Sequence, residues 1–192
     1  MAATKKPKSR SFKENVRAQP IVLVGLMGAG KTYIGQKLAQ NLDLDFVDAD
    51  TEIEAAADCT IEEIFSRYGE KAFREGERLV IARLLNKSAL VIATGGGAFL
   101  NKETRENIAQ HAISIWLKAD LDTTLRRVSR RNDRPLLKTS NKRQTLERLM
   151  EERYPLYEKA DLVLGTSNTG PSETVEGIIR ALKRHLKRPN KV

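Results

Sequence analysis

Apolar residues in this chain gather in short runs that alternate with stretches of helical period. Five runs read as strands: IVLVG from Ile21, LDFVDAD from Leu44, ALVIATGGG from Ala89, ISIWLKAD from Ile113 and ADLVLGT from Ala160. Between them the period lengthens. Ile34, Leu38 and Leu42 recur at i, i+4 and i+8 and share one helix face. TIEE, Thr60 to Glu63, has the form of a capping box at a helix start. GERLVIARLLNK and ETVEGIIRALKRHL are amphipathic. Nearly continuous apolar strands alternating with helices predict an α/β fold, a parallel sheet covered on both faces. In such sheets ligands gather at the carboxyl ends of the strands. Residues 1–19 are polar and basic without apolar period, which predicts a disordered tail. The ordered domain is expected over 20–185, followed by a basic tail over 186–192.

Composition narrows the class. The 192 residues suit one domain with a good core. No apolar run approaches the ~18 residues of a membrane span, and the first residues lack the apolar core of a secretory signal. A single cysteine, Cys59, allows no internal disulfide and fits a reducing cytoplasm. The formal charge is +9, concentrated in the two ends and in the interior segment LRRVSRRNDRPLLKTSNKR. No aromatic residues are interleaved with these charges, which argues against nucleic acid as the partner. The expectation is a protein acting on small molecules, with neither nucleic acid nor membrane.

Chemistry collects where the strands end. Gly25, Gly30, Lys31 and Thr32 complete the pattern G-x-x-x-x-G-K-[ST] between a strand and a helix. Such a loop turns its N–H groups onto phosphate oxygens. Lys31 then reaches the β- and γ-phosphates, and the Thr32 hydroxyl can ligate Mg²⁺. The next strand ends in Asp48-Ala-Asp50, and alternation along a strand would project both carboxylates from one face. One could hold Mg²⁺ and the other accept a proton from an attacking hydroxyl. The third strand ends in Gly95, Gly96 and Gly97, which suggests a ligand pressed against bare backbone.

Two arginines stand out. Arg74 and Glu77 are neighbours at a helix start, so the acid can fix the arginine's pose. Arg153 precedes Tyr154-Pro155, where proline is expected to interrupt a helix. Arginine forks suit a carboxylate substrate. The basic interior segment, about 126–143, suits a lid over nucleotide phosphates, with Arg134 before Pro135 as the first choice to reach the transferring group.

The ordered set GLMGAGKT, DFVDAD, AFREGE, ATGGG, DRPLL and ERYPLYEKAD resembles the shikimate kinases from about Ile21 to Ile179. The resemblance implies a P-loop kinase fold of three layers, with a five-stranded sheet in the order 2-3-1-4-5. It implies transfer of phosphate from ATP, with Mg²⁺, to the 3-hydroxyl of shikimate. Gly28, Ala29, Gly30, Lys31, Thr32 and Tyr33 would hold the nucleotide, with Arg134 on its phosphates and Arg127 stacked on its base. Asp50 would meet the reacting hydroxyl, with Lys31 and Arg134 as its catalytic partners. Arg74 and Arg153 would hold the shikimate carboxylate, with backbone amides from Gly95, Gly96 and Gly97. Thr32 and Asp48 would serve Mg²⁺. The resemblance also implies a monomer. The chain departs from the family pattern in the loop GTSNTGPSE, which lacks a basic residue on the adenine side. The rival readings are another small-molecule P-loop kinase, such as one acting on gluconate, and a non-catalytic module that kept its nucleotide site. F-R-x-x-E and R-Y-P-L-Y argue against the first, and Asp50, Arg74 and Arg153 against the second.

Overall fold

The computed structural model describes residues 11–129, 141–167 and 169–187. In chain order the elements are α1 (Phe12–Arg17), β1 (Ile21–Val24), α2 (Lys31–Leu42), β2 (Asp45–Asp48), α3 (Ala49–Ala57), α4 (Ile61–Leu85), β3 (Leu90–Ala93), a 3₁₀ turn (Ala98–Leu100), α5 (Lys102–His111), β4 (Ile113–Lys118), α6 (Leu121–Val128), α7 (Lys142–Tyr157), β5 (Leu162–Gly165) and α8 (Pro171–His185). The strands form one sheet in the order β2-β3-β1-β4-β5, and every pairing is parallel.

The central strand β1 divides the core. Val22 and Val24 face one side, packed with Ile92, Trp116, Ile81 and Leu84. Ile21 and Leu23 face the other, with Ile115, Leu38, Ile178 and Leu182. All four β1 residues are buried, as are all four of β3. A strand enclosed on both faces has no polar positions to alternate, which explains the unbroken apolar runs. Thr60 caps α4 by bonding to the Glu63 N–H, while the Glu63 carboxylate returns to the Thr60 N–H, so the capping box forms as expected. Among the described residues no helix is long and apolar enough to cross a membrane.

The structure corrects four expectations. The segment expected to be disordered contains helix α1, whose Val16 is buried and whose Arg17 guanidinium bonds Asp43. One buried apolar side chain and a Ser11–Glu14 capping box give a short helix the tertiary support that its composition conceals. Second, β2 stops at Asp48, so Asp50 lies in the first turn of α3 rather than on the strand. Asp48 caps that helix by accepting the Asp50 N–H at 3.1 Å. Third, α7 runs through Pro155 to Tyr157. The proline sits close enough to the helix end that its missing donor costs a single bond. Fourth, the two ends of the segment 126–143 are helical, because 126–128 belong to α6 and 142–143 open α7. Residues 130–140 lie outside the described residues, and Arg134 with them.

Helix α2 lies close on the sheet because Gly35 faces it. A Cβ there would stand 2.6 Å from Phe46 Cε2 and 3.2 Å from Leu23 Cδ1. Replacing Gly35 by valine should destabilise the fold by about 1–3 kcal/mol through overpacking. At roughly 2–4 °C per kcal/mol for a chain of this size, differential scanning calorimetry would read a clear fall in Tm. An unchanged midpoint would mean that the Phe46 ring yields freely.

Candidate active site

The strand ends converge as the parallel register requires. After Val24 the chain turns through residues 25–30 into α2, whose cap is Gly30 at φ 94°. That left-handed turn suits glycine and brings the free N–H groups at the start of α2 into the loop. Lys31 folds back over it, donating to the carbonyls of Gly25 at 2.8 Å and Leu26 at 3.1 Å. The Thr32 hydroxyl donates to Asp48 Oδ2 at 2.7 Å, so the two residues expected to serve a metal are in contact.

A cleft of about 410 Å³ runs along this edge. Residues 28–33, six of the eight residues expected to contact the nucleotide, line its middle. Tyr33 is half exposed there, with the Lys37 ammonium 5.4 Å from its ring centre. At one end stand Thr166, Thr169, Pro171 and Thr174. Arg127 reaches this end from α6. It donates to Thr166 O at 2.8 Å and to Gly28 O at 3.3 Å, bridging β5 and the loop. At the other end stand Asp48, Asp50, Thr94, Gly95 and Gly96.

Beyond that second end the charged residues gather around the three glycines. Arg74 Nη1 donates to Glu77 Oε2 at 2.8 Å, and Arg74 Nη2 to Glu70 Oε1 at 3.2 Å. The Arg74 guanidinium lies flat on Gly97, where a Cβ would stand 2.5 Å from Nη1. A Cβ on Gly95 would stand 2.7 Å from Glu77 Oε1 and 2.9 Å from Asp50 Oδ1. Two of the three glycines thus make room for the chain's own charged groups, which the sequence reading had assigned to a ligand. Between them, the Gly96 carbonyl accepts from Arg153 Nη1 at 3.3 Å and from the Tyr157 hydroxyl. Arg74 and Arg153 therefore reach the same glycine wall from α4 and α7. Arg153 is only 8% exposed and forms no salt bridge among the described residues.

The shikimate kinase family model matches residues 27–183 of this chain. The chain belongs to the shikimate kinase family. It is 56% identical over 169 residues to a shikimate kinase of Bradyrhizobium diazoefficiens, covering 88% of this chain and 82% of that one. It is 49% identical over 185 residues to the shikimate kinase of Rhodopseudomonas palustris, covering 96% and 91% of the two chains. Among solved structures it resembles the shikimate kinase of Acinetobacter baumannii in complex with shikimate, with a TM-score of 0.86 and 36% identity over 93% of this chain and 100% of that one.

Within this shikimate kinase fold the buried charges set one another's protonation. Burial pushes the Glu77 carboxyl above its ordinary value, the Arg74 ion pair pulls it back, and the nearby Asp50 charge pushes it up again. Burial works against the Arg74 charge, but its pairs with Glu77 and Glu70 outweigh that and hold it above its ordinary value. Arg127, partly buried beside Arg126, is shifted down. Burial pushes Tyr157 up to about 12, so its hydroxyl stays a donor at neutral pH.

Several residues of this site escaped the sequence reading. Tyr157 is four residues after Arg153 and shares its helix face. The spacing is visible in the sequence, but Pro155 reads as a helix end between them. Thr166, Thr169 and Pro171, within the loop GTSNTGPSE whose residues stay unassigned above, and Thr174 just beyond it form the far end of the cleft. Their position after the last strand was the available signal.

The Glu77 shift gives a pH test. The folded carboxyl keeps its proton to higher pH than the unfolded one. Its stabilising contribution is therefore full below the unfolded value and lost as pH rises through the folded one. Glu77→Gln removes that titration. The Tm advantage of the natural chain over Glu77→Gln should shrink as pH rises from about 4 towards neutrality. Parallel Tm curves across that range would show that Glu77 does not titrate differently on folding.

Proposed function

We infer that this chain transfers the γ-phosphoryl group of ATP to the 3-hydroxyl of shikimate, giving ADP and shikimate 3-phosphate on the route to chorismate. The observation that carries the reading is the acid Asp50 on the wall of the phosphate-loop cleft, beside two arginines that flank a bare glycine strand end. A carboxylic acid bearing hydroxyls is complementary to that set. The arginines suit its carboxylate, and Asp50 suits the hydroxyl that reacts.

Phosphoryl transfer needs little covalent help from protein, so positioning and charge stabilisation carry it. The loop amides, the N-terminus of α2 and Lys31 hold the nucleotide phosphates. Gly28, Ala29, Thr32 and Tyr33 line the same stretch of cleft, and Arg127 holds the base side beside Thr166. The acceptor oxygen bonds to the γ-phosphorus as the bond to ADP breaks, and the hydroxyl proton passes to Asp50. We assign Arg134 to the phosphates, by family motif. Arg74 and Arg153 orient the acceptor's carboxylate, with Glu77 fixing Arg74, and Gly95, Gly96 and Gly97 offer it backbone.

The Thr32 hydroxyl and Asp48 carboxylate are hard oxygen donors already in contact, which fits Mg²⁺. When bound, Mg²⁺ neutralises charge on the β- and γ-phosphates. Among the described residues no cluster of three or more His, Cys, Asp or Glu could hold a metal. A Mg²⁺ that draws its other ligands from phosphates and water needs none. We place the activity in a cytoplasmic monomer, the setting that a single free cysteine and the family resemblance suit.

The test is ADP release by the purified chain in MgATP, with shikimate, without it, and with gluconate as control. Stimulation by shikimate alone is expected. Stimulation by gluconate, or by neither, removes the acceptor assignment. Asp50→Asn should keep ADP affinity, measured by calorimetry, and lose about 10²–10⁴-fold in turnover, the usual share of a general base. Normal turnover would remove Asp50 from that role. Arg74→Lys replaces a planar fork by a point charge and should raise the KM for shikimate several-fold while leaving that for ATP. An unchanged shikimate KM would take Arg74 out of the acceptor site.

A further inference from the structure

Tyr157 is fully buried, yet its one polar atom is spent on the acceptor wall. Its hydroxyl donates to the carbonyl of Gly96, the middle glycine of the three. Arg153 Nη1 donates to the same oxygen at 3.3 Å. A glycine strand end has no side chain to hold it, so its peptide planes are set by their hydrogen bonds alone. The ring that delivers the hydroxyl is itself fixed, 6.5 Å from Phe99 and 5.8 Å from Trp116 between ring centres.

We propose that Tyr157 is a positioning residue of the acceptor site: its hydroxyl anchors the Gly96 carbonyl, and so fixes the Gly96–Gly97 peptide and the pose of Arg153. The proposal rests on reading shikimate as the acceptor. With the tyrosine on the carbonyl, Arg153 is not its sole donor. Arg153 keeps N–H groups for a carboxylate, and its Nε has no hydrogen-bond partner among the described residues. Without the hydroxyl, the Gly96 carbonyl would draw on Arg153 alone. The acceptor's carboxylate would then compete with Gly96 for one guanidinium. The adjacent Gly97 would shift with its peptide, and Arg74 rests on it. Tyr157 touches no reacting group; it acts through Gly96 and Arg153.

Tyr154 supplies the control. It stands on the same helix and in the same aromatic cluster, 4.9 Å from Trp116. Its hydroxyl also donates to a backbone carbonyl, but to that of Ala119 at the end of β4. Tyr154→Phe removes a comparable bond without touching the glycine wall.

The experiment compares the natural chain, Tyr157→Phe and Tyr154→Phe in shikimate phosphorylation, with ADP affinity and Tm measured on each. Tyr157→Phe should lower kcat/KM for shikimate by roughly tenfold, the effect of losing one hydrogen bond from the Gly96 carbonyl. Its KM for ATP and its ADP affinity should stay within about twofold of the natural chain. Tyr154→Phe should keep the natural constants for both substrates. Equal loss of shikimate turnover in the two variants would make the effect one of cluster packing and overturn the proposal, as would natural constants in Tyr157→Phe. Saturating MgATP offsets a stability loss by mass action, so a Tyr157→Phe chain still unfolded in it would make Tyr157 a folding residue and overturn the proposal too. A natural chain inactive on shikimate would instead overturn the acceptor reading, and this inference with it.

Discussion

The site depends on β1 being paired in parallel with both β3 and β4. Leu23 stands opposite Ala93 on one side and Ile115 on the other. In parallel register every strand points its carboxyl end the same way. The phosphate loop after β1, the acids after β2 and the glycines after β3 are therefore delivered to one edge. The Thr94 hydroxyl adds a bond to Leu23 O at 3.0 Å, tying the start of the glycine segment to the end of β1. Without that common register the three sequence motifs would be unrelated.

Charge is handled differently at the two ends of the cleft. At the end beyond β5, uncharged threonines and a proline leave Arg127 to bond carbonyls. At the end beyond β3, Asp50 and Glu77 crowd one glycine while Arg74 and Arg153 flank the segment. Burying an unpaired charge is costly. Glu77 offsets its burial through Arg74, whereas Arg153 is left with a carbonyl and a tyrosine beside it. Among the described residues Arg153 forms no salt bridge, although it lies near enough to Glu77 to favour that carboxylate's charge.

The fold was legible because the chain's strongest local signals agree with it. Unbroken apolar runs such as IVLV and LVIA suit strands covered on both faces, and the Thr60–Glu63 box marks its helix. The phosphate loop, the acid pair and the two arginines were legible as motifs, and the structure brings them to one edge. What was not legible needed three-dimensional neighbours. Val16 gives α1 a reason to fold only once α2 and the sheet are in place. Asp50 was placed on a strand because alternation is a local rule, while the helix cap at Asp48 is set where the chain turns. Pro155 reads as a breaker in any local window, and the reading therefore separated Tyr157 from Arg153. The three glycines suggest a ligand pressed against bare backbone, but spacing alone does not show that the chain's own Glu77, Asp50 and Arg74 crowd Gly95 and Gly97.

That filled space bears on how this surface can change. Drift at most positions in a binding wall offers a route to altered ligand preference. Here a methyl group at Gly95 would press on two carboxylates, and one at Gly97 would press on the guanidinium that α4 presents. Point substitution at either position displaces the chain's own charges before it touches a ligand. The constraint is uneven along the stretch, since a Cβ on Gly96 would meet nothing closer than 3.5 Å.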